Sequence, residues 1–190
     1  MARCSSSPST STSSSTLREF YSSDYASCEE IRNTVYSRLV AQGHIQPRPN
    51  YRSVLRADTK AKRRSGKEFI CTFADVTDGT SNSMLFFECA GRPFKFIEGR
   101  VSGDPDAPTK EPLSGAEWAS SDAELWVDTL CGGGTQMMNC NNNNELYSFH
   151  PGGAMFLYCD GHVRFHPETI APEAFVSRFT AMAGDVVSDL

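Results

Sequence analysis

His150, His162 and His166, with Cys159 among them, bring imidazole and thiol groups close together in sequence. His162-x3-His166 is the spacing of a zinc-binding pair on a helix, where i and i+4 share a face. The surrounding residues read as strand instead. At ~3.3 Å per residue the two imidazoles stand ~13 Å apart, too far to share one ion at ~2 Å bonds. Cys159 and His162, facing each other across a turn, supply two ligands and no third. His150, just before Pro151-Gly152-Gly153, reads as a hydrogen-bonding residue that positions the following loop rather than as a catalytic base. No Gly-x-Ser-x-Gly elbow, Walker loop or dinucleotide fingerprint occurs. The reading assigns no catalytic residue and no resident metal. Asp75, Asp78, Asn82 and the run from Asn141 to Glu145 are oxygen-rich and suit a hard cation such as calcium. They do not match an EF-hand, and turn chemistry accounts for them equally well. Trp118 and Trp126, with the Asn-rich loop, suit a sugar or other small molecule; two tryptophans among short strands suit a core as well.

Cysteine usage is high, at seven in 190 residues, with no Cys-x2-Cys pair. Cys131 and Cys140 flank a Gly- and Asn-rich loop and are the candidate disulfide, worth about 2–3 kcal/mol in an oxidising compartment.

The elements that must position these groups follow from pattern. Asp160-Gly161 lies between two β-rich runs, 154–159 and 162–166, and reads as the two-residue type I′ turn of a C-terminal β-hairpin. That register pairs Cys159 with His162 and Phe156 with Phe165, and puts Phe156, Tyr158, Val163 and Phe165 on the core face. A helix is predicted over 28–42, with Ile31, Val35, Tyr36, Leu39 and Val40 on its apolar face and Gly43 as its cap. A second is predicted over 172–183, with Phe175, Val176, Phe179 and Met182 inward and Gly184 at its end. Strands are expected at 21–27, 53–57, 69–74, 83–89, 117–119 and 125–129. Residues 94–97 are expected to pair with 83–89, and 99–114 form a surface loop. The fold class is α+β, a mostly antiparallel sheet with flanking helices.

Eleven of the first sixteen residues are Ser or Thr. Residues 1–19 therefore read as a flexible segment, and 20–190 as one domain. The net charge of −5 excludes a generally basic nucleic-acid footprint. The short cluster from Lys60 to Arg64, with Lys67, reads as a solvated loop. The longest apolar run, Met84 to Phe87, is too short to span a bilayer, and no export signal is read in the sequence.

His150, nine residues, then Asp160-Gly161 resembles the H-x9-DG signature of a large bacterial family of prepilin-like proteins, a domain of unknown function that sometimes carries a solute-binding-protein label. Asp78-Gly79-Thr-Ser-Asn82 with the apolar strand and Glu88 resembles another family segment. So do Cys4-Ser-Ser-Ser-Pro8, Ser23-Asp24-Tyr25-Ala26 and the approach from Cys140 to Gly153. Departures are His162, where serine is common, and Ala171, where an aspartate N-cap is usual. The resemblance implies a pilin-like head in the cell envelope or outside the cell, non-enzymatic, structural or secretion-associated, with other pilin-like subunits or secretion machinery as partners. Neither nucleic acid nor direct membrane contact is expected of these residues. His150, Pro151, Gly152, Gly153, Asp160, Gly161, Asp78, Gly79 and Asn82 would then be structural signature residues. The resemblance further implies a leader and a hydrophobic helix upstream of the Cys4 block in the functional gene product.

Overall fold

The computed structural model describes residues 9–13, 16–20, 22–55, 71–102, 113, 124–143 and 145–185. Strands β1 (Ser9–Ser13) and β2 (Thr16–Phe20) pair antiparallel within the Ser/Thr-rich stretch. They are followed by β3 (Tyr25–Ile31), α1 (Asn33–Ala41), β4 (Met84–Glu88), β5 (Phe96–Ile97), β6 (Arg100–Val101) and β7 (Glu124–Val127). β8 (Gly153–Tyr158), β9 (Val163–Pro167) and α2 (Pro172–Phe179) complete the order. The main sheet has five strands in the order β7-β3-β4-β8-β9. Only β3–β7 is parallel; the other pairs are antiparallel. The domain is thus mixed α and β with a mostly antiparallel sheet.

One core joins sheet and helices. Val35, Tyr36 and Leu39 of α1 and Phe175, Val176 and Phe179 of α2 are buried together with Phe87, Phe156 and Tyr158 of the sheet. Pro172 opens α2, where its missing N–H is no loss.

Several sequence expectations need correction. Residues 28–31 belong to β3, not to the first helix, so Glu29 and Glu30 are strand residues rather than a helical first turn. The cause is a bulge between Cys28 and Glu30 against β7. It buries Cys28 and Glu29 in succession and hides the two-residue period that marks a strand. The second helix ends at Phe179, capped by Thr180, because Ala181 N–H leaves it to bond the Arg52 carbonyl at 3.0 Å. Ser53 to Leu55 form no strand; the buried Ser53 hydroxyl instead bonds the Cys28 carbonyl at 2.6 Å. Phe73–Asp75 is a 3-10 turn. Residues 56–70, 114–123 (with Glu117–Ala119 and Trp118), and Cys4 lie outside the described residues. β5 pairs with β6, not with β4. Their turn, Glu98-Gly99, has both φ angles positive, at 47° and 81°, which is the type I′ geometry.

The β8–β9 register also differs by one residue. Met155 faces Phe165, Phe156 faces Arg164 and Leu157 faces Val163. The loop has three residues, Cys159-Asp160-Gly161, closed by Gly161 N–H to the Tyr158 carbonyl at 3.0 Å. Gly161 alone in this loop has positive φ, at 90°, as in a type I turn followed by a glycine bulge. A one-residue slip turns every side chain of one strand over. Val163 and Phe165 are therefore exposed and His166 is buried.

Candidate functional site

The two sequence segments singled out above meet in space. Cys159 N–H donates to the Ser83 carbonyl at 3.0 Å and Asp160 N–H to the Thr80 carbonyl at 3.2 Å. The β8–β9 loop therefore rests on the 78–83 turn. That turn is held by Asn82 N–H to the Gly79 carbonyl at 3.0 Å and Asn82 Nδ2 to the Asp78 carbonyl at 3.1 Å. Gly79 supplies its positive φ of 93°. The buried Asp78 carboxylate accepts three backbone N–H groups, from Ala183 at 3.1 Å, Gly184 at 2.6 Å and Asp185 at 3.2 Å. It fastens the chain after α2 to the turn. Arg48 continues the network, donating to Asp185 at 2.5 Å and Glu173 at 2.6 Å.

His150 stands at the other end of β8. Its Nε2 lies 3.1 Å from Glu88 Oε1. Glu88 Oε2 accepts Met155 N–H at 2.7 Å. One buried carboxylate at the end of β4 thus holds both the histidine and the start of β8. Gly152 takes a positive φ of 74° beside Pro151. Gly153 is required for a different reason: a Cβ there would overlap the His166 carbonyl oxygen across the ladder. Cys131 and Cys140 are joined by a disulfide with Cα atoms 5.1 Å apart. Between them, Asn139 accepts Ser148 N–H at 2.8 Å and donates to Glu168 at 3.1 Å, tying the loop to the β8–β9 base.

The histidines of the zinc-like spacing do not converge. His162 stacks on one side of Tyr158 at 4.3 Å, and its Nδ1 lies 2.6 Å from Asp160. His166 lies in the core with Nε2 2.5 Å from the Tyr158 hydroxyl. The two bracket the phenol. The backbone hydrogen bond from His162, with its side chain, holds the exposed Asp160 carboxyl below its ordinary range. The oxygen-rich residues are also dispersed. Asp75 accepts Thr72 N–H at 2.8 Å and its hydroxyl at 2.6 Å. Asn142 accepts Phe96 N–H at 2.8 Å and donates to the Ala90 and Phe94 carbonyls at 3.2 and 2.7 Å. Among the described residues, no group of three or more His, Cys, Asp and Glu side chains is arranged to hold a metal. Trp126 is half-buried with the Arg32 guanidinium 3.7 Å from its ring.

For the thiols and for Glu145 the displaced pKa values are set mainly by burial. Burial pushes the Cys159 thiol up to about 11 and Cys89 up to about 12. It pushes the Glu145 carboxyl up to about 7, against the opposing hydrogen bond from Thr129. Glu88, Arg48 and Asn139 are not among the site residues expected from sequence, and Glu145 is expected only as the last of the oxygen-rich run from Asn141. Of the three missed, Glu88 alone carries a signal, as a carboxylate closing the apolar run Met84-Leu-Phe-Phe87.

These features define a class: a small α+β domain whose distinctive side chains bind its own turns and strand ends together. The chain belongs to the family described as SBP_bac_10, protein of unknown function (DUF1559), whose model matches residues 1–173. No curated protein and no solved structure matches it.

Proposed function

We propose that this domain is a non-enzymatic, pilin-like or pseudopilin-like head of the bacterial cell envelope, structural or secretion-associated, working beside other pilin-like subunits. One observation carries the reading. The signature side chains Asp78, Asn82 and Asp160, with His150 through Glu88, are engaged with the chain's own turns and strand ends. They serve shape. Burial holds the Cys159 and Cys89 thiols at about 11 and about 12, far from the thiolate form at neutral pH, so neither is primed as a nucleophile. In this reading the functional gene product carries an upstream prepilin-type leader and apolar helix.

The test is fractionation of the native host, with and without its prepilin peptidase, and mass spectrometry of the mature N-terminus. The expected result is an envelope-associated protein whose N-terminus is cut by that peptidase. A mature protein beginning at Met1, in the soluble cytosolic fraction of both strains, would overturn the proposal.

A further inference from the structure

Three grooves adjoin the β5–β6 tip, with volumes of about 510, 360 and 460 Å³, and Glu98 lines all of them. Each is in the size range of small-ligand sites. Neighbouring grooves share a further lining residue, Cys131 between the first and second and Ile97 between the second and third, so the three adjoin one another as a furrow around the turn. Glu98 occupies the first central position of the type I′ turn with φ 47°. Asn, Asp and Gly are at ease there, and a longer side chain is not. A glutamate thus holds a disfavoured backbone conformation at the meeting point of the three grooves.

The largest groove has further groups in keeping with this. Glu168 uses one carboxylate oxygen on Asn139 Nδ2, at 3.1 Å, and has a second. Gln136 donates from Nε2 to the Met138 carbonyl at 2.9 Å, leaving its own oxygen. Phe149 is 50% exposed. Its ring is steadied edge-on by Phe96 at 4.9 Å and Tyr147 at 5.8 Å. Lys95 and Arg100 line the two smaller grooves, whereas the largest carries the carboxylates of Glu98 and Glu168 beside His150. It accepts hydrogen bonds from a ligand rich in donors, and it offers a fixed apolar ring face.

We propose that this furrow is a binding site for a neutral oligosaccharide. Sugar hydroxyls donate to Glu98, Glu168 and Gln136, the C–H face of one ring packs on Phe149, and the chain continues past Glu98 toward Asn141. The proposal is independent of the pilin-like reading.

The experiment uses the full, oxidised chain in saturation-transfer NMR and calorimetry. The probes are cellotetraose, chitotetraose and mannotetraose, with their monosaccharides, tetramethylammonium and an uncharged hexapeptide for comparison. At least one tetrasaccharide should bind, and bind better than its monosaccharide. Phe149→Ala and Glu98→Asn should each weaken it about tenfold. Glu98→Asn suits the turn, so its Tm should be unchanged or higher, which separates lost binding from lost folding. Binding by none of the tetrasaccharides would overturn the proposal. So would binding that both variants leave intact, or capture of tetramethylammonium or the peptide with no tetrasaccharide bound.

Discussion

Replacing Glu145 by Gln should remove a fall in stability between mildly acidic and neutral pH. Glu145 is 2% exposed. The Thr129 hydroxyl donates to it at 2.6 Å. Burial, with Asp128 nearby as a smaller cause, raises it from an ordinary 4.5 to about 7. The folded state therefore keeps a proton that the unfolded chain releases at lower pH. Linkage makes stability fall wherever the native state binds more protons. Below the unfolded value the group contributes no pH dependence. Stability then drops as pH rises through the window from 4.5 to about 7, and is flat above it. One pH unit of displacement corresponds to ~1.4 kcal/mol, so the whole drop is on the order of 3 kcal/mol. Gln keeps an oxygen for the Thr129 hydroxyl and cannot ionise. Urea melts of parent and Glu145→Gln at pH values across the window would measure the difference. The variant should lose the falling limb and be the more stable protein at pH 8. Parallel profiles, or a variant less stable at pH 8, would refute the reasoning.

Gly161→Val should destabilise by more than ~1 kcal/mol, because a β-branched residue is strained at φ 90° although space is open around it; an unchanged urea midpoint would contradict this. Gly153→Ala should disrupt the β8–β9 ladder although φ there is not positive, because its Cβ meets the His166 carbonyl and the Phe165 ring; amide exchange of β9 would report it, and native protection would refute it. Glu88→Ala should cost about 1–3 kcal/mol by orphaning Met155 N–H, whereas His150→Ala, at a half-exposed imidazole, should cost at most ~1 kcal/mol; equal losses in denaturant melts would count against this order. Replacing Cys131 and Cys140 by Ser should cost about 2–3 kcal/mol, and a reductant should lower the midpoint of the parent but not of the variant.

The parts of the fold visible in sequence are those whose causes are local. Val35, Tyr36 and Leu39 recur at helical spacing, and Phe175, Val176 and Phe179 do the same, so both helices could be read from their buried stripes. Their ends could not. The start of α1 is masked by the bulge in β3, which sets Cys28 and Glu29 side by side in the interior and imitates a helical pattern. The end of α2 is set by the Arg52 carbonyl and the Asp78 carboxylate, acceptors more than a hundred residues away in the chain. The same division runs through the β8–β9 loop. Asp-Gly announces a reversal, but two- and three-residue loops share that dipeptide. The choice between them coincides with bonds from Cys159 to Ser83 and from Asp160 to Thr80, neither of which is written near residue 160. Glu98-Gly99 makes the complementary point. It adopts the primed turn that sequence rules assign to Asp160-Gly161, with a residue those rules disfavour. Tertiary anchoring from both sides accounts for its persistence: Tyr147 hydroxyl accepts Gly99 N–H at 2.8 Å, and Glu98 N–H donates to the Cys140 carbonyl at 3.0 Å. A local preference can be overridden when such bonds fix the backbone first, and the side chain is then free to answer to another demand.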